Sequence, residues 1–171
     1  MEVLTKKQAQ LTISKEQPLS LYYLEELDLY NQALFKDEMV NQKIVIENCH
    51  IEILDLAIMQ FNQEVVLRGC IVGRANFHGT FFLKGIKIEE CLFKEILNFD
   101  CGGHNEAPYP VKLLNSTFRG YVDFFDAWFM GPFVVSNCKF LAGTNMLLDP
   151  SAFEIKPEIN NNEGDLELES K

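Results

Sequence analysis

The sequence has little of what a membrane protein or a common enzyme needs. No apolar run approaches the roughly 18 residues that read as a membrane span, and Met1 to Gln10 lacks the apolar core of a secretory leader. A cytoplasmic location without membrane contact is therefore expected. A Walker loop, a dinucleotide-binding fingerprint and a Ser-based nucleophile elbow are missing, and with them the chemistries they serve. The period of six with glycine and small residues that marks hexapeptide acyltransferases is absent too. Bases are scarce: 15 Lys and Arg stand against 25 Asp and Glu, a formal net charge of −10, so direct nucleic-acid binding is not expected.

What is present is a period. Between Ile44 and Met146 an apolar residue returns about every five positions: Ile46, Ile51, Leu56 and Phe61, then Leu67, Val72, Phe77 and Phe82, then Ile88, Phe93 and Phe99. Leu113, Phe118, Phe124 and Phe129 follow, and Val135, Phe140 and Met146 close the series. Two places before each centre sits a second apolar or small residue, such as Ile44, Cys49, Leu54 and Met59. An apolar-polar-apolar triplet points its outer members to one side of an extended chain. A two- or three-residue corner after each triplet then winds the chain into a coil with four short faces, stacked at roughly 4.8 Å per coil.

Two columns support this register independently. Cys49, Cys70, Cys91, Ser116 and Cys138 are separated by 21, 21, 25 and 22 residues, and Asp55, Asn76, Asn98, Asp123 and Asn145 fill an equivalent place on the third face. Short polar side chains suit corners because they bond to nearby backbone. The predicted core columns are Cys49, Cys70, Cys91 and Cys138, with Leu56, Phe77, Phe99, Phe124 and Met146; Phe77, Phe99 and Phe124 are expected to stack. The shared cysteine column reads as buried reduced thiols.

The repeats Leu54-Asp55-Leu56, Ala75-Asn76-Phe77 and Leu97-Asn98-Phe99 resemble the pentapeptide-repeat family over about two thirds of the chain. They depart from it in their 21- or 22-residue coils and in bulky aliphatics where the family favours Ala. The resemblance implies an all-β fold, a right-handed parallel β-helix of five or so coils without catalytic activity or cofactor, with a structural or protein-interaction role carried by its outer faces and the 100–110 loop; a small-molecule or metal site at that loop is one alternative. Some members of that family imitate duplex DNA and block DNA-binding enzymes, which makes a DNA-mimic inhibitor a further alternative. Against it, residues 43 to 149 hold twelve acids and nine bases, a weak field beside that of duplex DNA.

Three segments are expected: a lead or cap at 1–18, the solenoid at 19–149, and an acidic tail at 150–171 without structure. The period of five already fits Leu19, Leu24, Leu29, Leu34 and Met39, which makes 24–45 a first coil of 22 residues. The same stretch competes as a capping helix, because Leu21, Leu24, Leu27, Tyr30 and Leu34 recur at near-helical spacing. The pattern breaks at 100–110, where two glycines and two prolines mark an excursion in place of the fourth face.

The chemistry-bearing candidates are few. Cys101-Gly102-Gly103-His104 has the spacing of half a metal site, with Cys101 and His104 as the candidate ligands. It lacks a second pair, because His50 and His78 are assigned to other faces, and a glycine-bearing loop is the stronger reading. Cys101 lies outside the cysteine column and is the thiol expected to be reachable. Alternation aims His50 away from Cys49, which disfavours a nucleophilic dyad. Outward apolar residues recur as Val45, Val66 and Val134, as Ile71 and Leu92, and as Phe81 and Trp128 with Phe125 nearby. Phe81, Phe125, Trp128, His104 and Tyr109 are thus the interaction candidates, with a protein partner or a second copy as occupant.

Overall fold

A triplet with two inward side chains is too short to be a stable strand alone, so its backbone groups must pair with the coils above and below. The computed structural model describes residues 1–169, and it shows this arrangement as a right-handed parallel β-helix. The first face is a seven-stranded parallel sheet, running from Leu19–Ser20 through Ile44–Glu47, Val65–Arg68, Ile86–Glu89, Val111–Leu114 and Phe133–Ser136 to Glu158–Asn160. Seven rungs replace the five or so expected.

Every predicted central residue from Ile46 to Met146 is buried, and so are Cys49, Cys70, Cys91 and Cys138. Pairing reproduces the predicted steps: Ile44 faces Val65, Val65 faces Ile86, Ile86 faces Val111 and Val111 faces Phe133. Phe99 lies between Phe77, edge-on at 5.1 Å, and Phe124, stacked at 5.1 Å. Phe118 continues a second aromatic column between Phe93 at 5.2 Å and Phe140 at 5.0 Å. Each buried ring contributes on the order of 2–3 kcal/mol of transfer free energy. The four column thiols are free, and burial pushes those of Cys49 and Cys138 up.

One corner recurs in every rung. Leu21, Asn48, Gly69, Glu90, Asn115, Asn137 and Asn161 all adopt positive φ between the first and second faces. Asn and Gly dominate there because they tolerate the left-handed region at least cost.

The structure also corrects expectations at the ends and at the excursion. Residues 24–45 form a coil and not a helix, but Leu19 faces Ile46 and Leu24 faces Ile51, a step of 27 residues and not 22. The surplus is a loop after Leu29, in which Phe35 fills the interior; Val40, not Met39, then faces Phe61, and Met39 is 38 % exposed.

The helix lies earlier, at Lys6–Ser14, opened by a capping box between Thr5 and Gln8. It buries Ala9, Gln10 and Ile13 on the first coil. Gln10 Nε2 donates to the Asp28 carbonyl at 3.0 Å and to its carboxylate at 3.1 Å, and Lys6 pairs with that carboxylate at 2.7 Å.

The acidic tail is also structured. Glu158–Asn160 and Glu163–Gly164 pair with the rung beneath. Asn162 accepts from Cys138 N at 2.8 Å and donates to the Val135 carbonyl at 3.0 Å, while Ile159 and Leu166 rest on the core. An exposed, charged sequence thus follows the stack because side-chain amides and two apolar residues anchor it.

Finally, the fourth face is not lost at 100–110. Gly103 bridges Phe81 on one side and Trp128 on the other, and the excursion shrinks to the residues after it.

Candidate functional site

The third face carries a ladder of polar side chains. Asp28 faces Asp55, Asp55 faces Asn76, Asn76 faces Asn98 and Asn98 faces Asp123. Each side-chain oxygen turns back onto the backbone N–H two residues on: Asp55 accepts from Ala57, Asn76 from His78, Asn98 from Asp100 and Asp123 from Phe125. This repeated turn leads into the next corner, where Ile58, Gly79, Cys101 and Asp126 all have positive φ.

Consecutive corners bring distant residues together. Gly79 N donates to the Asp100 carbonyl at 2.9 Å, and Cys101 N donates to the Phe125 carbonyl at 2.8 Å. His78 Nδ1 therefore lies 2.9 Å from Asp100 Oδ1, and the donor atoms of His78, Asp100 and Cys101 are within 4.8 Å of one another. Cys101 Sγ is 4.0 Å from Asp126 Oδ2. The neighbour of Cys101 on this corner is His78 and not His104, because the stack outranks sequence proximity. Burial and the Asp100, Asp126 and Asp123 carboxylates push the Cys101 thiol up.

His104 goes elsewhere. Its own positive φ adds a residue to the rung, so its ring packs on Phe81 at 4.0 Å between centroids and meets Trp128 edge-on at 5.6 Å, while Asn105 takes the interior. Burial holds the His104 imidazole below its usual range. Gly103 makes this approach possible: at φ +100, a Cβ there would stand 2.6 Å from the Trp128 carbonyl. Asn105 Nδ2 donates to the Tyr109 carbonyl at 2.7 Å and to that of Pro132 at 3.1 Å, which ties the excursion down.

Of the interaction candidates, Phe81, His104 and Trp128 form one cluster, and Phe125 stands beside it, 67 % exposed against 43 % for Trp128. Tyr109 is separate, under the Lys84 ammonium at 5.7 Å. Two open clefts of about 420 Å³ flank Asp126. One is lined by Cys101, His104, Trp128, Asp149 and Ser151, the other by Phe124, Phe125, Asn145, Leu148 and Glu169.

Charge on the other faces is paired or interleaved. Arg68 lies 3.0 Å from both Glu47 and Glu89, Lys87 pairs with Glu89 at 2.7 Å, and in the third-face column Asn76 and Asn98 stand between the carboxylates of Asp55 and Asp123. Val45 and Val66 are neighbours, but Lys87 and Lys112 separate them from Val134. His50 lies 3.0 Å from Glu52 and edge-on to Tyr23, and so does not address Cys49. No helix among the described residues is long and apolar enough to cross a membrane. No family model matches the chain, and comparison with curated proteins and with solved structures finds no match either.

Proposed function

We propose that the chain is a non-catalytic interaction solenoid of the pentapeptide-repeat type, which binds a protein through the fourth face around Phe125 and Trp128. The observation that carries this is the aromatic cluster itself. Inward positions already hold the rings that the core needs, so Phe125 and the exposed part of Trp128 lie outside the core, and large exposed aromatics flanked by clefts favour a contact role. Glu169 and the clefts' Asp126 and Asp149 give the patch a polar rim of the kind protein interfaces have.

The buried thiol column fits a reducing compartment, which agrees with the cytoplasm. The DNA-mimic alternative draws less support, because a phosphate-like array needs carboxylates in sequence along one face. Here amides interrupt the ladder and bases occupy the first face.

The test is affinity capture with the intact chain against a Phe125→Ser, Trp128→Ser double variant whose thermal unfolding is unchanged. A specific partner lost with the double variant supports the reading. A partner held equally by both overturns the assignment to this face. Mass in solution across a concentration series separates a second copy of the chain from another protein.

A further inference from the structure

Beyond protein binding, we propose that the corner formed by His78, Asp100 and Cys101, with Asp126 beside it, is a site for one borderline-soft divalent cation of the zinc type. The argument starts from donor chemistry. An imidazole nitrogen, a carboxylate oxygen and a thiolate sulfur are the three ligand types that zinc takes, and hard ions such as calcium or magnesium would not select a thiolate.

Geometry comes next. Bond lengths of about 2.0–2.3 Å at tetrahedral angles put donors roughly 3.3–3.7 Å apart. His78 Nδ1 and Asp100 Oδ1 are 2.9 Å apart, all three donors lie within 4.8 Å, and Asp126 Oδ2 is 4.0 Å from the sulfur. Adjustments of about an ångström in partly exposed side chains close the set.

The solenoid supplies the positioning. The four donors come from three successive rungs, and those rungs are locked by Gly79 N to the Asp100 carbonyl and by Cys101 N to the Phe125 carbonyl. The backbone N–H groups of His78 and Asp100 are held in turn by Asn76 and Asn98 at 3.3 and 2.9 Å, so both ligands sit on fixed turns. Electrostatics favours a cation as well. Asp100 and Asp126 stand beside the Cys101 sulfur, and a dication would relieve that negative excess while stabilising the thiolate.

The test uses the full chain, reduced and freed of metal by chelation. Cobalt(II) serves as the spectroscopic probe and zinc(II) as its competitor. One ion per chain is expected, with a sulfur-to-cobalt charge-transfer band that Cys101→Ser abolishes and zinc displaces. His78→Ala is expected to weaken zinc binding by at least about tenfold, whereas His104→Ala leaves it unchanged. Zinc should also slow alkylation of Cys101 in the unaltered protein, a readout that does not depend on any variant folding. Binding unaffected by Cys101→Ser and His78→Ala overturns the proposal as adventitious surface binding. Loss with His104→Ala alone, or no protection of Cys101, overturns it equally.

Discussion

Asn145 donates from Nδ2 to Asp123 Oδ1 at 2.7 Å across one coil step, and the same oxygen accepts the Phe125 N–H at 2.9 Å. Asn76 and Asp55 repeat the pair three rungs earlier on the same face, at 3.1 Å, with Asp55 also accepting from Ala57. In both, a carboxylate holds its own turn and anchors the amide of the next rung. The ladder therefore couples turn formation to stacking, which is how a coil with little core of its own becomes cooperative.

Asn145→Asp removes the donor and sets two carboxylates together, while keeping an acceptor for Phe124 N, which now bonds Asn145 Oδ1 at 2.7 Å. Expected is a loss of about 1–3 kcal/mol, read by urea unfolding. Swapping the pair, Asp123→Asn with Asn145→Asp, restores one donor and one acceptor and should recover most of it. A double variant as unstable as the sum of the singles would show that the bond across the step contributes nothing.

Phe99 touches rings in both neighbouring rungs. Phe99→Ala is expected to cost about 3–5 kcal/mol, the range for deleting a buried aromatic, and Phe99→Asp to prevent cooperative unfolding at ordinary temperature. An unchanged melting midpoint in either would contradict the packing.

Cys101 is partly exposed, whereas the other four thiols are buried. In the native state a thiol reagent should modify Cys101 first, and Cys101→Ser should remove the fast phase. Because burial and nearby carboxylates raise its pKa, the thiolate fraction at pH 7 is below that of a free thiol. Its rate should climb with pH beyond the point where a free cysteine levels off, and Asp126→Asn should speed it at pH 7. Equal labelling of all five cysteines would remove the assignment.

The folded state holds His104 at a depressed pKa through burial, so the unfolded chain binds more protons just below the unperturbed value of about 6.5. Its contribution is complete above that value and is lost as pH falls through it towards the folded pKa. His104→Gln should flatten the stability profile in that window. A profile of unchanged slope would mean that the imidazole titrates alike in both states.

The columns are legible because inward alternation and near-constant steps act on the same residues: Cys49, Cys70 and Cys91 cannot all face inward in any other register. The capping helix is harder to see, since of its three buried residues one is Gln10, which is satisfied only by Asp28 and Asn31 of the coil it covers. Its Thr5-Gln8 capping box was the available signal. His78 meets Cys101 across rungs, so local spacing points to His104 instead; following the corner column from Ile58 through Gly79 to Asp126 would have placed it. The left-handed column of Asn48, Asn115, Asn137 and Asn161 is equally visible in the sequence and extends into the tail.

That extension makes the last rung a structural element. Residues 158–169 bond to the two rungs beneath: Cys138 N and the Val135 carbonyl use Asn162, Thr144 N donates to the Asp165 carbonyl, and Tyr121, one rung further down, donates its hydroxyl to the Leu168 carbonyl at 2.6 Å. Removing residues 158–171 would leave the Phe133–Ser136 and Lys139–Phe140 strands with open edges and would uncover apolar core. Glu158, Glu163, Asp165 and Glu167 blunt the edge that the intact chain presents. The truncated chain is expected to melt several degrees lower and to associate with rising concentration, seen as mass growth by light scattering. If it instead keeps the melting midpoint and mass of the full chain, the terminal strands neither stabilise the stack nor shield it.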